Sequence, residues 1–220
     1  MKLDPKTITV LKNLSVINPS LLFKEGNVLD TMAPNKGIIA KAVVPDSFPK
    51  RFAIYNLTKF LGSMSLVTEP DLQFNDKYVK ISGGNSTTIN VTYTDEGSII
   101  TPPEKGLKEI IPTVTVSLTN KALSEVIKAA GVLQLPEIAF CGDGAQVTLQ
   151  ALNSKKPGSD SFSVVLDETD KVFKAIFKVE NIIKIMPNNY EVRISDKGFS
   201  HLIGPDIQYW VSVEHTSTFS

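Results

Sequence analysis

The sequence predicts an α+β protein of two similar domains in tandem, each with helices on one face of antiparallel strands. Three observations predict it. The order helix, short strands, helix, short strands occurs twice in 220 residues. Phe52-Ala53-Ile54-Tyr55, a helix and Tyr78-Val79-Lys80-Ile81-Ser82 recur further on as Lys174-Ala175-Ile176-Phe177, a helix and Tyr190-Glu191-Val192-Arg193-Ile194-Ser195. Between the copies, residues 94–112 carry three prolines and two glycines among charges, the composition of a linker. The reading is an N-terminal domain at 1–95, a linker at 96–112 and a C-terminal domain at 113–220.

The first helix starts at Asp4-Pro5, with Asp as N-cap and Pro at the first helical position, and stops before Pro19. Leu3, Ile8, Val10, Leu11, Leu14 and Ile17 form its apolar side. Lys2, Lys6, Thr9 and Asn13 lie opposite, with Lys12 at the edge. Residues 20–46 read as three short strands with turns at Lys24–Asn27 and Pro34–Gly37, and Ser47–Lys50 as a loop. A strand at Phe52–Tyr55 leads into a second helix capped by Asn56. Leu57, Phe60, Leu61 and Met64 make one apolar stripe, and Asn56, Lys59, Gly62 and Ser63 face away. Strands follow at 71–75, 77–82 and 86–93.

Val114–Leu118 alternates Val or Leu with Thr or Ser, as a strand does. A third helix is predicted over Thr119–Ala130 and closed by Gly131. It buries Ala122, Leu123, Val126, Ile127 and Ala130, and it shows Lys121, Ser124, Glu125 and Lys128. Strands at 136–141 and 145–152 are joined by a turn at Gly142-Asp143-Gly144. Lys155–Ser159 is a loop, and strands follow at 160–167 and 171–177. A fourth helix over 178–186 buries Val179, Ile182, Ile183 and Met186 and shows Lys178, Asn181 and Lys184. Strands at 189–195, 198–203 and 207–214 complete the second domain, and Thr216–Ser220 is a frayed tail.

Composition narrows the function. Lys+Arg and Asp+Glu are both 23, so the chain is not basic throughout, although a basic surface balanced by an acidic one remains possible by arithmetic. Only Arg51 and Arg193 are arginine. The positive charge is therefore carried by lysine, a flexible point charge suited to loose attraction rather than bidentate reading of a base. One cysteine, Cys141, excludes an internal disulfide and fits a reducing compartment. Met1–Pro5 runs straight into a helix pattern rather than a signal peptide, and no apolar run reaches membrane-spanning length, so the expectation is a soluble cytosolic protein.

No catalytic constellation is present. His201 and His215 have no ligand partners at metal spacing, and no phosphate-binding glycine loop or nucleophile elbow occurs. Asp143 reads as a turn residue, and Asp160, Asp167, Glu168 and Asp170 as a solvated hairpin end. What stands out is the outward helix faces. Lys6, Lys12, Lys59, Lys121, Lys128, Lys178 and Lys184 lie on them, with Glu125 and Glu180 as the acids nearby. On one helix such a face means solubility. On four helices side by side it makes a basic surface suited to a phosphate backbone without sequence reading.

Met1-Lys2-Leu3, Leu11-Lys12-Asn13, Ile17-Asn18, Lys24-x-Gly26 and Thr31-x-Ala33 are similar to the start of the sliding clamp of T-even-type bacteriophages. Ala53-Ile54-Tyr55-x-Leu57-x-x-Phe60-Leu61-Gly62-x-x-Ser65-Leu66-Val67 resembles the same family most specifically, and Gly131–Ala139 resembles it too. The resemblance implies a clamp fold like that of proliferating cell nuclear antigen. It further implies a homotrimeric ring with helices around the hole, no enzymatic activity and no cofactor. The implied partners are double-stranded DNA, the phage DNA polymerase and an ATP-dependent clamp loader, in the cytoplasm of the infected bacterial host. A β-rich structural virion protein and a non-ring DNA-binding accessory protein are the alternatives. Strands Val114–Leu118 and Ser161–Leu166 are candidates for pairing between subunits. In the linker, Leu107, Ile110 and Ile111 either tuck onto the domain beneath or border a groove for a partner's peptide, with Tyr209 and Trp210 as its other wall.

Overall fold

The computed structural model describes every residue except 106–108, 110 and 157, and the backbone alone at Asn85. The chain divides into two compact units, Met1–Gly106 and Leu107–Ser220.

In the first unit, α1 (Pro5–Ile17) is followed by β1 (Leu21–Phe23), β2 (Gly26–Met32), β3 (Ile38–Phe48) and β4 (Phe52–Ile54). Then come α2 (Leu57–Ser65), β5 (Asp71–Phe74), β6 (Tyr78–Ser82) and β7 (Thr88–Thr92). All pairings are antiparallel: β1 with β4, β2 with β3, and β5-β6-β7 as a meander. The alternation in β3, buried at Ile38, Ala40, Ala42 and Val44, puts one face in the core and the other in solvent. That strand runs to Phe48, so the expected loop at Ser47–Lys50 is shorter. Phe48 is 1% exposed because it joins an aromatic cluster. Phe23 stacks on Phe52 at 4.5 Å and 8°, with Phe48 at 4.8 Å from Phe23 and Tyr93 at 4.8 Å from Phe52. Burial, with the charge of Asp76 nearby, pushes the Tyr93 phenol up to about 12.

The second unit repeats this order after an added first strand. It runs β8 (Val114–Leu118), α3 (Asn120–Val132), β9 (Glu137–Asp143), β10 (Gln146–Leu152), β11 (Phe162–Glu168) and β12 (Val172–Lys178). It continues with α4 (Val179–Ile182), β13 (Tyr190–Ile194), β14 (Phe199–Ile203), β15 (Ile207–Ser212) and β16 (Thr218–Phe219). One sheet has the order β11-β10-β9-β12-β16. In the other, β8 pairs β13, β13 pairs β14 and β14 pairs β15.

The repeat is visible in individual hydrogen bonds. The Leu57 N–H donates to the Pro19 carbonyl at 2.7 Å, and the Val179 N–H donates to the Pro136 carbonyl at 3.0 Å. Thr94 N–H donates to Ala53 C=O at 3.0 Å, and Glu214 N–H donates to Ile176 C=O at 2.8 Å. In each unit the first helix thus hands over, through a proline, to the start of the second.

Four expectations for this unit are corrected. Helix α3 runs through Gly131 to Val132, and the left-handed residue that ends it is Gln134 (φ 52). The fourth helix is only one turn. Asn181 lies inward at 2% exposure, Ile185 is buried, and Ile183 is 52% exposed. The run has no side-chain cap at Lys178 and reaches Pro187 too soon for a second amphipathic turn. The tail is not frayed: β16 pairs with β12, and Phe219 stacks on Phe173 at 4° between ring planes. Gly142 belongs to β9 rather than to a turn. A Cβ there would lie 2.4 Å from the Phe173 ring, so no larger residue fits.

Candidate nucleic-acid interface

Each helix is held by its apolar side, which decides the side it shows. Val10, Leu11, Leu14 and Ile17 are buried in α1, and Lys6, Thr9, Lys12 and Val16 are exposed. Asp4 caps that helix by accepting from the Lys6 N–H at 2.7 Å. Leu57, Phe60 and Met64 are buried in α2, leaving Thr58, Lys59, Gly62 and Ser65 exposed. Asn56 caps α2 by accepting from the Lys59 N–H at 2.8 Å, which also sets Lys59 at the start of the exposed side. The two helices pack against one another. In the second unit, α3 shows Asn120, Lys121, Ser124 and Lys128, and packs against the α4 turn. Thr119 caps α3 through the Ala122 N–H at 3.2 Å.

All seven lysines read from the sequence can therefore be placed. Lys6, Lys12 and Lys59 are exposed on the helix pair of the first unit. Lys121, Lys128 and Lys178 are exposed on that of the second, and Lys184 is half-exposed there. Only two acids lie in α1–α4, Glu125 and Glu180. Lys121 approaches Glu125 at 3.9 Å one turn on, a loose and solvent-screened pair. Lys6, Lys12, Lys59, Lys128 and Lys178 form no ion pair among the described residues. Gly62 on α2 and Gly131 on α3 are exposed with open space around them. Such a face attracts an anionic rod through mobile ammonium groups but offers no rigid fork to hold a register.

The strands proposed for subunit pairing are end strands. Among the described residues, β8 pairs only with β13 and β11 only with β10. The outer face of β11 carries Ser163, Val165 and Asp167, and Val165 is 59% exposed.

The partner-peptide residues fare differently. Leu107 and Ile110 lie outside the described residues. Ile111 is 86% exposed. Trp210 is half-buried on β15, stacked on His201 at 4.3 Å and 12°. Tyr209 is no part of a wall: it is fully buried, and its hydroxyl accepts from the Met186 N–H at 3.1 Å. Alternation along β15 sends Tyr209 and Trp210 to opposite faces. Tyr190 crosses Tyr209 edge-on at 6.0 Å, and burial raises both phenols above the ordinary range.

Sequence reasoning passed over Asn18, using it only as the end of a motif. Its buried amide donates to the carbonyls of Met32 at 2.9 Å and Ile100 at 3.0 Å, and its oxygen accepts from Ser20. An Asn directly before the helix-ending Pro19 was the available signal. Among the described residues no group of His, Cys, Asp and Glu is arranged to hold a metal ion, and no helix is long and apolar enough to cross a membrane.

Twin helix-on-sheet units with lysine-bearing, acid-poor helix faces define the class of DNA clamps. The family model described as DNA polymerase processivity factor matches residues 2–99. The sliding clamp of Vibrio phage KVP40 is 30% identical, covering 97% of this chain and 99% of that protein. The sliding clamp of Enterobacteria phage T4 is 26% identical over 99% of both. The structure of A. fulgidus PCNA, solved with the C-terminal region of FEN-1 bound, superposes with a TM-score of 0.70 at 12% identity, over 96% of each chain. The chain belongs to the sliding-clamp family of DNA polymerase processivity factors. Its α+β fold of tandem clamp units is that of the PCNA structures. Membership sets aside both a structural virion protein and a non-ring accessory protein.

Proposed function

We propose that three copies of this 24.0 kDa chain close into a ring around duplex DNA and hold the phage replicative polymerase on its template. The exposed helix faces turn toward the DNA. The observation that carries this reading is the distribution of charge. In a chain of zero net charge, lysines line every helix face and acids are nearly absent there. Each lysine–phosphate contact is weak and screened within about 10 Å at moderate salt. A ring needs no more, because topology keeps it on the duplex while weak contacts let it slide. The chain acts without catalysis, in the cytoplasm of the infected host, and an ATP-driven loader opens the ring.

Ring closure uses strand edges, and among the described residues β8 and β11 each have an unpaired one to offer. The polymerase's C-terminal peptide docks on an apolar surface that includes Ile111 and Trp210. The FEN-1 segment in the PCNA structure supports recognition of this general kind.

The test is charge reversal of Lys59→Glu with Lys184→Glu. Processive synthesis falls, and the log–log slope of DNA association against salt becomes shallower by about 0.9 for each phosphate that the variant no longer neutralises. The mass in solution stays that of three chains. Normal processivity in a correctly assembled double variant would overturn the assignment of these faces.

A further inference from the structure

The two units differ by one residue where a strand passes into the second helix, and a ring is turned outward there. The Thr94–Ala53 and Glu214–Ile176 bonds mark matching points on β4 and β12. The Leu57–Pro19 and Val179–Pro136 bonds mark matching helix starts. Between these marks lie Ile54, Tyr55 and Asn56 in the first unit, and only Phe177 and Lys178 in the second. Ile54 and Phe177 are both buried, at 2% and 1% exposure. The place where the second unit shows the exposed Lys178 is therefore taken in the first by Tyr55 and Asn56. Asn56 is committed to capping α2.

Tyr55 is 65% exposed, more than any other aromatic ring among the described residues. Its hydroxyl forms no hydrogen bond among those residues. A tyrosine left in solvent offers an apolar ring and a free polar tip at one place. Its surroundings say what it meets. The Leu57–Pro19 bond brings the start of α2 to the end of α1, so Tyr55 lies at the end of the helix pair that carries Val16. Val16 is exposed on the same side of α1 as Lys6, Thr9 and Lys12. Lys59 flanks the other side of the cap, since its N–H donates to Asn56.

We propose that Tyr55 is a neutral DNA-contact residue. Its ring packs on the sugar edge of the duplex backbone and its hydroxyl donates to a phosphate oxygen, where the second unit offers the Lys178 ammonium. Tyrosine is among the side chains that bond phosphate oxygens without reading sequence. The inference rests on the reading that the helix faces meet duplex DNA, and it adds a contact of another kind. A lysine contact releases condensed counterions and weakens steeply as salt rises. A tyrosine contact releases none, so it persists at salt concentrations that screen the lysines. One neutral hydrogen bond, remade from phosphate to phosphate, fixes no register.

The test is titration of the whole protein with a short fluorescein-labelled duplex at several salt concentrations, followed by anisotropy. Tyr55→Ala should bind about threefold to tenfold more weakly, the worth of one neutral hydrogen bond with its ring contact, at the wild-type salt slope. Tyr55→Phe should fall between the two. Tyr55→Lys copies the second unit and should steepen the log–log slope by about 0.9 for each added phosphate contact. The melting temperature and the three-chain mass of Tyr55→Ala should match the wild type, because the exposed ring has no partner in the chain to lose. Wild-type affinity or a shallower slope in Tyr55→Ala, or an unchanged slope in Tyr55→Lys, would overturn the proposal. So would loss of the three-chain mass in Tyr55→Ala, because the ring would then be covered by a second copy. The Lys59→Glu, Lys184→Glu variant separates the two readings. If its slope becomes shallower while the Tyr55 variants match the wild type, only this inference falls. If its slope also stays that of the wild type, the DNA reading falls with it.

Discussion

The second helices of the two units begin at equivalent proline-anchored bonds, yet α2 runs nine residues and α4 four. Two residues, Tyr55 and Asn56, separate β4 from α2, and Asn56 caps the helix. β12 runs directly into α4, and Lys178, its last residue, has no side-chain cap. Capping stabilises a helix start by satisfying backbone donors that have no partner inside the helix. Downstream, Pro70 lies 13 residues after the start of α2, whereas Pro187 lies 8 after the start of α4. The comparison teaches that one framework tolerates very different helices on its outer side. The framework bonds lie in the strands and at the prolines.

The cores differ as well, and breaking them gives the largest expected effect. The first unit is built on stacked aromatic rings and the second mainly on aliphatic residues. Phe23→Ala should cost about 3–5 kcal/mol, because Phe23 is fully buried against Phe48, Phe52 and Phe60. Denaturant unfolding measures the cost. Hydrogen exchange should show protection falling first in β1, β4 and α2.

Asn18 precedes Pro19 as Leu135 precedes Pro136, so copying Leu135 into the first unit tests what holds residues 95–104. Asn18→Leu strands the carbonyls of Met32 and Ile100 and should cost about 1–3 kcal/mol. Amide exchange across 95–104 should quicken in that variant. Unchanged exchange there would mean that Arg51, gripping Glu96 at 2.8 Å and 3.7 Å from Glu104, alone holds the segment.

The caps come next. Asn56→Ala should lose about 1 kcal/mol, whereas Lys178→Ala should stay within about 0.5 kcal/mol, since no cap bond is removed. Equal losses would show that the side-chain cap is not what separates the two helices.

The smallest effect is a pH dependence confined to the second unit. Burial holds the His201 imidazole below its ordinary value. The bond to Gln208 at 3.0 Å opposes that shift, Arg193 adds to it and Glu191 opposes it. The unfolded chain therefore binds a proton that the folded chain resists. Stability should fall as pH drops below the ordinary histidine value of about 6.5 and level off below the folded value. His201→Gln should flatten that slope in thermal melts taken across the window.

Much of the fold was legible because its signals are local. Helix α1 announces itself in Asp4-Pro5 and an apolar stripe, α2 in Asn56 and the stripe from Leu57 to Met64, and β3 and β8 in their alternation. The repeat was legible because matching runs fall in matching order. The lysine faces were legible for the same reason, since a helix's period dictates which side chains share a side.

By itself, the sequence determined the order of elements, their doubling, and the lysine-bearing, acid-poor character of the helix faces. Tertiary structure alone decided that Asn181 lies inward and Ile183 outward, that Gly142 exists for the Phe173 ring, and that Tyr209 belongs to the core. It also decided that the last residues pair with β12, and that Asn18 carries residue 100. The physical reason is range. Periodicity and capping act within a few residues. Gly142 meets a ring 31 positions away and Asn18 a carbonyl 82 positions away, separations that no local pattern encodes.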